Sequence, residues 1–134
     1  MSVRFSYSSI FFSFTIFKKD GWNVFEEYSY GKLLNDESEW IEEKGEKIQI
    51  KNPEGQALSA LEIKNEHISH SYIILCHQYG GSPQSMEEYA KHFYEMGFNI
   101  ILPYMRGHGN SPYNDVSFGW KDSSDIEDWV ENIV

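Results

Sequence analysis

Tyr72-Ile73-Ile74-Leu75-Cys76-His77-Gln78-Tyr79-Gly80-Gly81-Ser82 is the stretch that decides the fold. Tyr72 to Cys76 is a short, continuous apolar run, and such a run suits a strand covered on both faces, as in a parallel sheet. It breaks at His77 into a glycine-bearing loop, His77 to Gly81. A helix is expected next. Ser82 or Ser85 caps it, Pro83 suits its first turn, and Ser85 with Glu88 makes a capping box. Met86, Tyr89, Ala90, Phe93 and Met96 share one helical face, while Glu87 and Lys91 pair on the wet side. Gly97 ends the helix.

Downstream, Phe98-Asn99-Ile100-Ile101-Leu102 is the next strand, stopped by Pro103. Arg106-Gly107-His108-Gly109-Asn110-Ser111-Pro112 is a loop. A last helix starts near Ser124, with Glu127 completing a second capping box and Ile126, Trp129, Val130 and Ile133 on its inner face. Upstream, Lys47 to Lys51 alternates polar and apolar residues, the period of a half-buried strand. Asn52-Pro53-Glu54-Gly55 is turn chemistry, and Gln56 to Ile63 reads as the return strand of a hairpin. Asn65 to His70 is a polar break. Asn35 or Asp36 is the expected cap of a short helix ending at Gly45. The order is hairpin, strand, helix, strand, helix. Strand–helix–strand connections of this length imply parallel pairing and a right-handed crossover. Ligands of such sheets bind at the carboxyl ends of the strands, where both glycine-bearing loops emerge.

The totals bound the rest. With 134 residues, 40% hydrophobic and 24% charged, the chain is expected to be one globular domain. Aromatics at 16% predict some sticky surface. A formal charge of −10 repels phosphate backbones, so no nucleic-acid partner is expected. Cys76 is the single cysteine, which excludes an internal disulfide. The uncharged run Phe5 to Phe17 is shorter than the ~20 residues a bilayer needs and lacks a small-residue cleavage site. It is expected to be a buried or disordered lead, with a shortened signal or membrane anchor as the competing reading. The expected location is cytoplasmic. Residues 1–45 form an aromatic and acidic lead, and 46–134 the folded part.

Two segments carry a resemblance. The strand and loop from Tyr72 to Ser82 resemble the strand and His-Gly-x-x-Gly loop of the α/β-hydrolase family (serine esterases, lipases and peptidases). Gly97 to Pro103 followed by Arg106-Gly107-His108-Gly109-Asn110-Ser111 resembles that family's next strand and its Arg-Gly-His-Gly-x-Ser loop. Asp125-Ile126-Glu127-Asp128-Trp129-Val130 looks like the helix leading to the nucleophile strand. The match covers about residues 46 to 134. The resemblance implies the N-terminal part of an α/β-hydrolase sheet, a β-hairpin then parallel β-α-β-α, ending before the nucleophile elbow. It implies hydrolysis of carboxylic esters or related acyl compounds, a small acyl-type substrate, no cofactor and no metal. His77, Gln78, Tyr79, Gly80 and Gly81 would form the oxyanion loop, with the Tyr79 N–H as donor. Arg106, Gly107, His108, Gly109 and Ser111 would form the active-site rim. The Gly-x-Ser-x-Gly elbow, the acid and the base are absent. The chain is therefore expected to be inactive alone; the alternative is a non-catalytic remnant or a partner-dependent interaction module. Two departures fit a truncated or decaying copy. Gln78 stands where the family has Gly, and Tyr104 stands where it commonly has Asp. In the family the strand at 72–76 lies between the strand at 98–102 and the nucleophile strand, so here it is expected to be an exposed edge that self-associates.

No other residue takes the nucleophile's place. Ser82 and Ser111 each follow a glycine motif in half-match to the elbow, but each precedes a proline, which has no N–H to offer an oxyanion. A helix cap for Ser82 and a turn for Ser111 are the expected roles. Cys76 and His77 are adjacent on a strand and should diverge, leaving Cys76 a small buried hydrophobe and His77 a loop-ordering group. His67 and His70 lie in a polar loop without an evident third ligand. Asp122, Asp125, Glu127 and Asp128 suit a helix N-terminus without a cation. Arg106-Gly107-His108 lacks the adjacency of phosphate-binding Arg-His-Gly, so Arg106 is expected to order its loop.

Overall fold

The computed structural model describes residues 38–133. Expectations about Phe5 to Phe17, Asn35 and Asp36 lie outside the described residues. The elements in order are α1 (Glu39–Lys44), β1 (Glu46–Lys51), β2 (Ala57–Ile63), β3 (Tyr72–Ile74), a 3-10 turn (Pro83–Met86), α2 (Glu87–Glu95), β4 (Asn99–Pro103) and α3 (Asp122–Ile133). The strands form a mixed four-stranded sheet in the order β1-β2-β4-β3. β1 and β2 are antiparallel from Glu46↔Glu62 to Lys51↔Ala57, β2 and β4 are antiparallel, and β3 and β4 run parallel with Ile73 opposite Ile100.

The two-residue alternation of the strands sorts the core into two layers. Leu61 and Ile63 of β2 and Ile100 and Leu102 of β4 face one side, where Ile41 of α1 and Met86 and Ala90 pack. Leu58 and Ala60, Ile74 and Ile101 face the other, against Ile126 and Trp129 of α3. All five residues of β4 are buried, as a strand covered on both faces requires. Burying a side chain of Leu or Ile size stabilises by about 1.5–3 kcal/mol, so these layers hold the sheet between its helices.

Local signals explain the ends of elements, and several differ from the expected ones. Ser38, not Asn35 or Asp36, caps α1: its Oγ accepts the Ile41 N–H at 3.0 Å. Gly45 closes that helix because a Cβ there would lie 2.5 Å from the Ile41 carbonyl oxygen. The expected Ser85–Glu88 box is not formed. Ser85 Oγ instead turns back to the Ser82 carbonyl at 2.6 Å and accepts the Ser82 N–H at 3.3 Å. This ties the 3-10 turn that precedes α2. Ser82 holds the N-cap position of that turn in extended conformation, but its own Oγ is buried and makes no hydrogen bond with a described residue.

α2 ends in a Schellman pattern: the Gly97 N–H reaches Tyr94 O at 2.9 Å and the Phe98 N–H reaches Phe93 O at 3.1 Å. Gly97 takes φ +92. Met96 falls in that cap rather than on the buried helical face and is 59% exposed, a correction to the expected apolar stripe. α3 begins at Asp122 rather than Ser124, and the Ser124–Glu127 box is absent. Ser124 Oγ donates to Lys121 O instead. No helix among the described residues is long and apolar enough to cross a membrane.

Candidate functional site

The hairpin turn, the loop after β3 and the loop after β4 are held by side chains chosen for turn chemistry. Asn52 Oδ1 accepts the Gln56 N–H at 2.8 Å and Gly55 adopts φ +80, closing the hairpin. Asn52 Nδ2 then donates to Tyr113 Oη at 2.7 Å, so the hairpin also braces the segment after Ser111.

His77 follows β3 by three residues and is buried at 5% exposure. Its Nε2 accepts the Met105 N–H at 3.2 Å and its Nδ1 lies 3.0 Å from the Gln78 carbonyl oxygen. These partners assign the proton to Nδ1. His108 repeats the arrangement: Nε2 accepts the Gly80 N–H at 2.9 Å and Nδ1 lies 2.9 Å from Arg106 O. The two rings meet edge to face with centroids 5.1 Å apart. Each histidine therefore cross-links the loop after β3 to the loop after β4, at the same end of two parallel strands.

The other members of the two loops divide between packing and turn roles. The Gln78 side chain covers Gly81, where a Cβ would lie 3.0 Å from Cδ and Nε2 of Gln78, and Gly81 N–H donates to Gln78 O at 2.9 Å. Tyr79 is 69% exposed and its N–H donates to no described residue. Gly80 and Gly107 take φ +73 and +76, conformations open to glycine at little cost. At Gly107 a Cβ would also meet Val116 Cγ2 at 2.6 Å. Tyr104, standing where the resemblance has an acid, lays its ring against Gly109, where a Cβ would come within 2.7 Å. Ser111 Oγ accepts the Tyr113 N–H at 3.3 Å, a local turn contact. Ser111 also lines a groove with Gln49, Ser59 and Tyr104, which includes neither His77 nor Tyr79.

Arg106 is buried at 7% exposure and orders its loop from within. Its guanidinium binds Asp125 of α3 through two hydrogen bonds of 2.7 and 2.8 Å and lies 3.6 Å from the centre of the Tyr113 ring. The hydrogen bond to Asp125, and then the attraction of that carboxylate, hold Arg106 above its ordinary pKa against the opposing effect of burial. The Arg106 N–H donates to Asp122 Oδ1 at 3.1 Å. Asp122 also takes the Gly119 N–H at 2.8 Å and the Ser117 hydroxyl. Asp122 and Asp125 thus serve as buried acceptors for the rim, a role beyond the favourable helix-end charge read from sequence. The signal for it was Arg106 itself, since a buried guanidinium demands a carboxylate.

Nucleophilic and metal chemistry find little here. Cys76 is partly buried against the Leu58 and Trp129 layer, and the loss of solvent around its thiol, with a smaller push from Asp122, raises it from 9.0 to about 12. At neutral pH it is a protonated thiol and not a nucleophile. His67 and His70 are exposed, and no group of three His, Cys, Asp or Glu side chains is placed to hold a metal among the described residues.

The class defined so far is an α/β protein with two interlocked loops at the tips of parallel strands. No protein-family model matches the chain, and no curated protein matches it. Two solved structures are similar to it. One is DcsB in complex with its substrate analogue, at a TM-score of 0.58 and 19% identity over 66% of this chain and 31% of that one. The other is a probable hydrolytic enzyme from Pseudomonas aeruginosa PAO1, at a TM-score of 0.48 and 14% identity over 66% of this chain and 30% of that one. The likeness to DcsB shows the fold alone, and the chain spans about a third of the length of either protein.

Proposed function

We propose that the two loops are the rim of an acyl-hydrolysis site of α/β-hydrolase type, whose attacking group is not among the described residues. The observation that carries this reading is the pair of histidine cross-links. They fix the loop after β3 against the loop after β4 and leave the Tyr79 N–H without a described acceptor, while the Gly80 N–H is taken by His108. A fixed, undonated N–H at a strand tip is what a developing oxyanion needs. The substrate would be a carboxylic ester or related acyl compound. The chain alone would not turn it over, because His77 and His108 are committed to backbone groups and Cys76 is protonated.

The purified 134-residue chain, treated with a fluorophosphonate probe and an activated ester, is expected to show neither labelling nor turnover. Covalent labelling overturns the missing nucleophile. When the chain is joined to a segment that supplies the Gly-x-Ser-x-Gly serine together with the acid and the base, turnover should appear, and Tyr79→Pro should lower kcat about 10²–10³-fold by deleting one donor. Turnover indifferent to that substitution removes Tyr79 from the oxyanion role.

A second reading, a partner-dependent interaction module, draws on β3, which stands at the edge of the described sheet. Such an edge accepts a further strand.

A further inference from the structure

Ser117 to Trp120 form a turn closed by the Trp120 N–H on Ser117 O at 3.1 Å. Its two central residues, Phe118 and Gly119, have φ +49 and +92. Turns with positive φ at both centres are built from Gly, Asn and Asp, because a Cβ is crowded there. Phe118 is the one non-glycine residue with positive φ among the described residues, and it is a bulky one. Folding gains little by burying the ring, which is 81% exposed. The conformation is imposed from beneath: buried Asp122 accepts the Ser117 hydroxyl and the Gly119 N–H. Strain of this kind points toward function.

The ring so displayed is stacked on Tyr79, with centroids 5.5 Å apart and planes 28° from parallel. Tyr79 in turn meets the edge of His108 at 5.7 Å. The stacked pair covers one face of the Phe118 ring and leaves the rest of that ring exposed, an apolar shelf beside the histidine cross-link. Charge nearby is already paired: Arg106 is bound by Asp125, and Lys121 by Asp115 at 3.1 Å. With a chain charge of −10, the shelf offers stacking without attraction for an anion.

We propose that the Tyr79–Phe118 shelf is a binding site for a neutral aromatic group, and that it selects aryl-bearing esters or amides for the site beside it. The choice of ester or amide rests on the hydrolytic reading; the shelf itself does not. N-phenylacetamide, titrated into the isotope-labelled 134-residue chain, should shift the backbone amide signals of Tyr79, Phe118 and Gly119. It should bind about two- to tenfold more tightly than N-cyclohexylacetamide, which lacks the ring face. Phe118→Asn should remove that preference while the melting temperature holds or rises, since Asn tolerates left-handed backbone. Equal affinity for the two amides, binding unchanged in Phe118→Asn, or shifts confined to other loops overturns the shelf. Benzoate binding as tightly as N-phenylacetamide overturns its preference for neutral ligands. A joined protein that fails to hydrolyse esters would remove the hydrolytic reading and leave these titrations as they stand.

Discussion

Arg106 Nε donates to Asp125 Oδ2 at 2.7 Å and Nη2 donates to Oδ1 at 2.8 Å, a two-point pair between the loop after β4 and helix α3. The side chains are 8% and 13% exposed, so neither charge is well solvated without the other. Asp125→Asn keeps the shape but leaves the guanidinium without a counter-charge. Removing one partner of a buried pair costs about 3–5 kcal/mol, and the remaining exposure puts this one near 3 kcal/mol. Denaturant midpoints should report it; a loss under about 1 kcal/mol would mean the loop does not depend on the pair. Arg106→Lys should recover only part, because an ammonium cannot make the two-point contact.

Gly107 carries a second constraint on the same loop. Its φ is +76, and an added Cβ would sit 2.6 Å from Val116 Cγ2 and 3.1 Å from Val116 N. The second contact is with backbone, so relief requires the segment at 115–116 to move. Gly107→Ala is expected to destabilise by about 1–3 kcal/mol through left-handed strain plus this clash. Thermal unfolding measures it, and a neutral substitution would show the loop to be loosely held.

His108 ties Gly80 to Arg106 through its two ring nitrogens. His108→Ala should free the Gly80 amide, at a cost of about 1 kcal/mol for each hydrogen bond lost. The sharper readout is hydrogen exchange: protection at Gly80 should fall in the variant while protection in β4 is kept. Unchanged exchange at Gly80 would mean that the loop is fixed by other contacts.

The residues that were legible in sequence are those whose signal is local. The apolar run at 72–76 and the alternation at 47–51 each reflect neighbours along the chain, and β1 follows the latter closely. Strand β3 is shorter than its apolar run, ending at Ile74, although Leu75 N–H still reaches Ile101 O at 2.9 Å. Contacts between distant segments were not legible. Asp125 lies 19 residues from Arg106, and its acidity had a sufficient local explanation at a helix end. Phe118 gave no periodic signal at all, because a side chain that projects from a turn belongs to no helix face or strand face. The caps failed for a related reason: Ser85 satisfies the Ser82 backbone, and Ser38 competes with two other plausible caps just before it.

Cys76 gives a prediction with a definite sign. Burial lifts its thiol to about 12, so the folded state favours the protonated form. At pH 8 its thiolate fraction is about 10³-fold below that of a thiol at 9.0, and alkylation by iodoacetamide should slow by about that factor relative to the unfolded chain. Because the folded pKa is the higher one, this stabilising contribution is complete below about 9 and is lost as the pH rises toward about 12. Cys76→Ala should flatten that alkaline decline. Rapid alkylation of the native chain at pH 8 would contradict the raised thiol pKa.

Strand β3 has one described neighbour, β4, which it engages through Ser71 O and Leu75 N–H. Backbone groups alternate sides along a strand, so those of Tyr72 and Ile74 turn toward the edge that no described strand pairs. Ile73 and Leu75 beside it are only partly buried. An apolar edge of this kind recruits another strand, and we expect the chain to self-associate at micromolar concentration. The charge of −10 opposes that contact between like copies, so added salt should strengthen it by screening. Sedimentation velocity across a concentration and salt series tests both statements. A sharply monomeric species throughout would show that the edge is covered, and association weakened by salt would assign the contact to charge instead of to the strand.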